Sequence, residues 1–332
     1  MIITGKYPNL RLRRNRKYDW TRRLVQENTL SVDDLILPIF IIDGNNKKES
    51  IKTMPGIFRY SVDKIPLILD KAVKYKIPMV ALFPYTREKF KDKFGSEALN
   101  EDNLVCKAIR LIKKKYKDKI GIMCDVALDP YTNHGHDGLV KNKVILNDQT
   151  IEILIKQSLL QAEMGCDVIA PSDMMDGRIL KIRKSLDKNN FKNIQIISYA
   201  AKYASSFYGP FRDAVGSKKS LKGDKKTYQM DFNNSLEAMR EIALDIKEGA
   251  DMVMVKPGMP YLDIIKQVKD NFKIPVIAYQ VSGEYSLIVN GINKGLINKN
   301  SIIESLTSFK RAGANAIVTY FAETVASKLS SN

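Results

Sequence analysis

Residues Asp251–Asp263 read DMVMVKPGMPYLD. An apolar run from Met252 to Val255 ends abruptly in Lys256, and Pro257 and Gly258 then stop any strand before a helix-like Tyr-Leu-Asp-Ile-Ile begins. The pattern predicts a core strand that delivers an amine to its own C-terminal tip. A surface lysine at a strand end would give the same local pattern, because lysines usually sit in water. A second stretch, IISYAAKYASSFYGPFR (Ile196–Arg212), also ends its apolar run in a lysine, Lys202. Two strand-tip lysines point to a carbonyl substrate.

Working outward, apolar strand-like runs recur at 35–42, 79–85, 120–128, 167–172, 194–201, 251–255, 275–282 and 315–322. Between them lie helix-period segments at 64–75, 97–116, 150–165, 178–186, 235–249, 261–272, 285–296 and 301–312. In the 235–249 segment, Leu236, Met239, Ala243 and Ile246 are expected on the buried face, with Glu237, Arg240, Asp245 and Glu248 on the solvent face. Eight strands alternating with helices predict an α/β fold, a (β/α)8 TIM barrel. An open doubly wound sheet competes, but no G-x-G-x-x-G follows the first strand. Residues 1–30, rich in arginine and carrying Trp20, are too irregular for a core strand and read as an extended N-terminal arm suited to a neighbouring subunit. Residues 31–332 then form the barrel.

In such a barrel, functional residues gather at the C-terminal strand ends. Asp125 and Asp129 fall near the end of the third strand, and Ser172 and Asp173 after the fourth. Lys202, Lys256, Ser282 and Tyr320 fall at or near the ends of the fifth to eighth. Period-two alternation places Ser198, Ala200 and Lys202 on one face, and Met252, Met254 and Lys256 likewise. Both amines then point into one mouth. A lysine becomes a nucleophile when burial and a neighbouring cation lower its pKa, and a second lysine supplies that cation. Asp125 is placed to help with proton transfers.

With 332 residues, 44% of them hydrophobic, the chain can bury a large single core. Lys and Arg total 54 against 37 acids, a formal charge of +17. The excess is scattered except at Arg11–Arg16 and Lys218–Lys226, which favours a solvated basic surface over a nucleic-acid partner. Cys106, Cys124 and Cys166 show no metal or redox spacing, as expected in a reducing cytoplasm. No export signal or membrane-spanning run is read, so no membrane partner is expected.

Several longer segments carry a family likeness. MVMVKPGMPYLDI (252–264), SYAAKYASSFYGPFRDA (198–214), DVALDPYTNHGHDG (125–138), APSDMMDGR (170–178), YQVSGEYS (279–286) and SFKRAGANAIVTYFA (308–322) closely resemble the porphobilinogen synthase, or 5-aminolaevulinate dehydratase, family. The resemblance covers nearly the whole chain, in order. It implies condensation of two 5-aminolaevulinate molecules to porphobilinogen, an early step of tetrapyrrole (haem) synthesis. On that likeness, Lys256 forms a Schiff base with the substrate that becomes the propionate side and Lys202 holds the other. Arg212 grips the acetate-side carboxylate with Lys225 (or Lys226, depending on the loop alignment) and Gln229. Ser282 and Tyr320 hold the other carboxylate, and Ser172 and Tyr208 complete the expected substrate contacts.

The zinc-dependent branch of that family carries three cysteines where this chain has Ala127, Asp129 and Asp137. Carboxylates suit hard cations such as Mg²⁺. The chain therefore resembles the aspartate-rich, magnesium-responsive branch. Glu241 matches an allosteric Mg²⁺ position, while Asp129 and Asp137 could bind an active-site metal or only hydrogen-bond. His134 and His136 read as loop-packing residues. The likeness further implies a homo-octamer of arm-clasped dimers and a lid over the barrel mouth around 217–228. Two rivals remain: a Schiff-base aldolase on the same barrel, which needs one lysine and a phosphate loop, and a polyanion-binding protein suggested only by charge.

Overall fold

In the computed structural model of the chain, the described residues are 5–216, 221 and 223–330. The first strand, β1 (Leu35–Ile42), is buried along its whole length. A strand covered on both faces has no polar side to alternate with, and its sequence LILPIFII shows this. β2 (Met79–Tyr85), β3 (Gly121–Val126), β4 (Val168–Pro171), β5 (Gln195–Lys202), β6 (Met252–Lys256), β7 (Val276–Tyr279) and β8 (Ala316–Val318) follow in parallel, each paired with its predecessor. β8 returns to β1 through Leu35↔Ile317 and Ile36↔Val318, closing an eight-stranded barrel.

Around it run α1 (Pro66–Lys74), α2 (Leu104–Tyr116), α3 (Asn147–Glu163), α4 (Arg178–Lys188), α5 (Leu236–Glu248), α6 (Leu262–Asn271), α7 (Ser282–Asn293), α8 (Asn300–Ala312) and α9 (Ala322–Leu329). Among the described residues no helix is long and apolar enough to cross a membrane. Residues 5–20 are exposed throughout, with a single 3-10 turn at Leu12–Arg16 and a short helix at Asp19–Leu24.

The three-residue β8 covers only the start of β1. An unanticipated hairpin, Lys48–Ser50 with Phe58–Ser61, fills the remaining edge through Phe40↔Arg59, Ile41↔Tyr60 and Ile42↔Ser61. Its polar residues gave no strand signal. The hairpin positions the site, because buried Arg59 donates to the carbonyls of Asp213 and Ala214, both at 2.6 Å. These are carbonyls at the C-terminal end of the short helix Gly209–Ala214 that carries Arg212, where a cation is favoured.

Three sequence readings are corrected. β7 stops at Tyr279 and β8 at Val318, so Ser282 opens α7 and Tyr320 lies in the following turn. The inner face of α5 is Ala238, Ile242 and Asp245, while Leu236 is 76% exposed. Buried Arg178 at the start of α4 explains this inversion, since its charge makes an acid acceptable on the core face. Ser198 and Lys202 do not share a face. The β5–β6 register shifts between Val253 and Val255, so Ser198 meets Arg178 and Asp245 in the helical layer while Lys202 turns into the barrel mouth.

Gly283 lets the start of α7 lie against the loop before Arg212, where an added Cβ would collide with the backbone carbonyl of Phe207. Gly283→Ala is expected to destabilise the fold by about 1–3 kcal/mol, read as a lower urea midpoint with an unchanged m-value.

Candidate active site

The β5–β6 pairing sets Lys202 and Lys256 directly opposite each other at the C-terminal ends of neighbouring strands. Both are buried, and their Nζ atoms lie 6.0 and 5.0 Å from the centre of the same Tyr199 ring. Three further rings approach Lys256 Nζ: Tyr279 at 4.5 Å, Phe211 at 5.0 Å and Tyr208 at 5.6 Å. Among the described residues Lys256 has no carboxylate within ion-pair distance, whereas Lys202 does. Burial first, and the Lys202 cation second, lower its pKa from 10.5 to about 7, with Asp125, Asp129 and Asp137 pulling the other way. Near neutral pH much of Lys256 is therefore a free amine.

Asp125, on β3, lies deep in the barrel but keeps contact with the cavity. Burial lifts its pKa to about 6 against the opposing pull of Lys256 and Lys202, and its Oδ1 has no hydrogen-bond partner among the described residues. An acid with a free oxygen and a pKa near the working range can carry protons. The other two acids are committed. Lys225 Nζ lies 3.2 Å from Asp129 and 2.9 Å from Asp137, and Lys202 Nζ lies 3.5 Å from Asp137 and also contacts the carbonyl of Ser172. Burial alone would raise the Asp137 carboxyl, but Lys202 and Lys225 overcome it and hold the group below the usual carboxylate range.

Residues expected from sequence converge here. Asp125, Asp129, Ser172, Lys202 and Lys256 line one cavity with Tyr208, Arg212, Lys225 and Gln229, and Phe211 joins them. Its free volume is about 30 Å³, room for a water or two. Ser282 and Tyr320 are set back behind two aromatic residues. Ser282 Oγ accepts the Phe211 N–H at 2.8 Å, and the Tyr320 hydroxyl lies 3.1 Å from that of Tyr279. Of the two candidate lysines, Lys225 and not Lys226 reaches the acids. Residues 217–220 and 222 of the expected lid lie outside the described residues.

Tyr199 and Tyr279 on core strands and Phe211 in the short helix Gly209–Ala214 were missed, because a buried aromatic residue carries no sequence signal that separates lining from packing. Buried Glu284 was also missed. Its two oxygens accept the N–H of Met259, three residues after Lys256, and of Val281, just before Ser282, at 2.6 and 2.5 Å. It clamps the loops after β6 and β7 together.

Among the described residues no group of three or more His, Cys, Asp or Glu side chains stands in metal-binding geometry. Asp129 and Asp137 are neutralised by lysines and Ala127 offers no donor, so this set does not fit an active-site metal. Glu241 lies elsewhere, in a cleft of about 400 Å³ with Asp176 and Glu237. Burial raises its pKa first, and Asp245, Asp176 and Glu237 add to the effect while Arg178 opposes it. That carboxylate lies in surplus negative charge and fits a hydrated divalent cation, which needs few protein ligands.

A parallel barrel with paired buried amines at its C-terminal mouth is the framework of a carbonyl-condensing enzyme. The family model described as delta-aminolevulinic acid dehydratase matches residues 9–328. A relative of that name from Bradyrhizobium diazoefficiens is 58% identical over 96% of this chain and 91% of its own, and one from Methanothermus sociabilis is 51% identical over 98% and 100%. The crystal structure of the Toxoplasma gondii delta-aminolevulinic acid dehydratase, or porphobilinogen synthase, in complex with its reaction product porphobilinogen, superposes with a TM-score of 0.94. It is 45% identical, over 96% of this chain and 91% of that one. The chain belongs to the delta-aminolevulinic acid dehydratase family. It is a lyase of tetrapyrrole biosynthesis, which sets aside both the aldolase and the polyanion-binding readings.

The lowered pKa of Lys256 carries a stability consequence. Between about pH 7 and its unfolded value of 10.5 the unfolded chain binds the extra proton, so the penalty for burying Lys256 is full below pH 7 and fades as pH rises. Lys256→Met, similar in volume and uncharged, is expected to raise Tm at pH 6 by several degrees and by much less at pH 9, measured by calorimetry.

Proposed function

We propose that the chain joins two molecules of 5-aminolaevulinate through imines on Lys256 and Lys202. The observation that carries this reading is the pair of buried amines at matched register, with Lys256 brought to about pKa 7. The free amine of Lys256 adds to the substrate ketone and water leaves, giving an imine that the aromatic wall shields from hydrolysis. Lys202, held by Asp137 and the Ser172 carbonyl, takes the second ketone once its proton passes to a neighbouring base. Joining the two substrates and closing the pyrrole releases two waters in all, and Asp125, with its free oxygen, is the group placed to move the protons.

Arg212, Lys225 and Gln229 lie on the side where one substrate carboxylate would enter, and charge-assisted bonds there would orient it. Ser282 and Tyr320 are the pair for the other carboxylate. Their hydroxyls now meet the Phe211 backbone N–H and the Tyr279 hydroxyl, so a carboxylate bound there would replace or share those contacts. A cavity of about 30 Å³ cannot hold either substrate, so Tyr208, Arg212 and Lys225, which line it, would move outward to admit one and return to cover it.

Glu241, with Asp176 and Glu237 nearby, would hold a hydrated Mg²⁺, which supplies positive charge to an otherwise acidic cleft. The N-terminal arm leaves Tyr18, Trp20 and Leu24 exposed, at 50%, 60% and 75%. That apolar surface is the kind a neighbouring subunit covers, in support of arm-clasped dimers assembled into an octamer. The three cysteines are free and buried, in keeping with a cytoplasmic enzyme.

Borohydride added with 5-aminolaevulinate is expected to fix an adduct on Lys256, located by peptide mass spectrometry; an unmodified Lys256 peptide contradicts the reading. Lys256→Ala is expected to cut turnover by roughly 1,000-fold or more. After treatment with EDTA, Mg²⁺ is expected to restore activity better than Zn²⁺, and a preference for zinc contradicts the Glu241 assignment.

A further inference from the structure

The helix that carries Arg212, Gly209–Ala214, is only six residues long. So short a helix does not hold itself in place, and its tertiary contacts decide where it sits. One of them is direct: the Phe211 N–H donates to Ser282 Oγ, at the start of α7, at 2.8 Å. A carboxylate bound at Ser282 would share or replace that contact. The C-terminal end of the helix is held separately, by the hairpin of residues 48–61.

That hairpin stands on α7. Between its strands the chain closes on itself through the Ile51 N–H and the Ile57 carbonyl at 3.0 Å, and Ile51 and Met54 are buried. Ser286 Oγ donates to the Thr53 carbonyl at 2.8 Å, and the Tyr285 hydroxyl to the Pro55 carbonyl at 2.7 Å. From this footing two side chains reach the short helix. Thr53 Oγ1 donates to Asp213 Oδ2 at 2.7 Å, so Thr53 alone touches both elements. Arg59 is held by Glu49 at 2.9 Å, and its guanidinium carbon lies 4.7 Å from the centre of the Tyr85 ring. Its Nε and Nη2 donate to the Ala214 and Asp213 carbonyls. The last carbonyls of a helix have no partner within it, and bonds from a charged donor are the strong ones.

We infer that Arg59 and Thr53 are positioning residues for Arg212. The hairpin, footed on α7, holds Arg212 at a fixed offset from Ser282, so the two carboxylate sites keep their spacing when substrate takes over the Phe211–Ser282 contact. The inference rests on the reading of Arg212 as the partner of the carboxylate on the Lys202-bound substrate. Neither Arg59 nor Thr53 lines the cavity between the lysines. Their loss therefore weakens capture of a ketone acid at Lys202 and leaves capture at Lys256 as it was.

The test uses 4-oxopentanoate, which has the ketone and carboxylate of 5-aminolaevulinate and lacks the amine needed to complete the ring. Borohydride fixes its imines on the intact protein, and peptide mass spectrometry gives the concentrations that half-label Lys202 and Lys256. Their ratio is the readout, because general loosening of the fold weakens both together. Arg212→Ala is expected to raise the ratio about tenfold or more. Arg59→Lys is expected to raise it about fivefold, since one ammonium cannot serve two carbonyls as the fork does, and Thr53→Val about two- to threefold. A folded Arg59→Lys with the wild-type ratio, beside a shifted Arg212→Ala, overturns the inference. If Arg59→Lys does not fold, Thr53→Val decides, because Thr53 is exposed and the change removes only its hydroxyl bond to Asp213; an unshifted ratio there overturns the inference. An unshifted Thr53→Val beside a shifted Arg59→Lys removes Thr53 from the pair and supports Arg59. An unshifted Arg212→Ala overturns the carboxylate assignment of Arg212 and this inference with it, and a wild type labelled on Lys256 alone overturns the Lys202 imine and, again, this inference.

Discussion

The structure depends on keeping one lysine amine out of water without a carboxylate against it. Lys256 is walled by four aromatic rings, its closest opposite charges are kept at a distance, and a second amine stands opposite it on the next strand. Burial and like charge both favour the neutral form, so the fold holds a partly neutral amine near neutral pH at a cost in stability. The two lysines differ in a way their matching sequence contexts do not reveal. Lys202 rests on Asp137 and a backbone carbonyl, while Lys256 faces π-surfaces.

The acids follow the same division. Asp129 and Asp137 neutralise lysines and are thereby removed from metal binding, whereas Asp125 keeps a free oxygen. Asp125 on β3 and Asp129 and Asp137 in the loop that follows thus differ by whether a lysine pairs with them. Surplus negative charge lies instead around Glu241, on the outer helical layer, where burial first and then Asp245, Asp176 and Glu237 raise its carboxyl.

The barrel could be read from the chain because buried parallel strands write themselves as continuous apolar runs; β1 and β2 match their expected limits residue for residue. What stayed hidden was anything decided by an exception to periodicity. The β5 irregularity sends Ser198 and Lys202 to different sides, and a buried Arg178 permits Asp245 on the inner face of α5. The polar hairpin that completes the edge of β1 looked like a loop. Both lysines and the cavity acids were legible because strand ends in such barrels collect chemistry. Tyr199, Tyr279 and Glu284 were not, because an aromatic or acidic residue in a core segment shows its role only when its neighbours are known.

The central claim is that the two amines share one dry cavity and that each bears on the charge of the other. The most direct measurement is the pH dependence of Lys256 modification by an amine-reactive label, followed by peptide mass spectrometry, in the wild type and in Lys202→Met. A midpoint near 7 in the wild type that moves clearly upward when the neighbouring cation is removed is the predicted result. A midpoint near that of an ordinary lysine in the wild type, or one that Lys202→Met leaves in place, would contradict it.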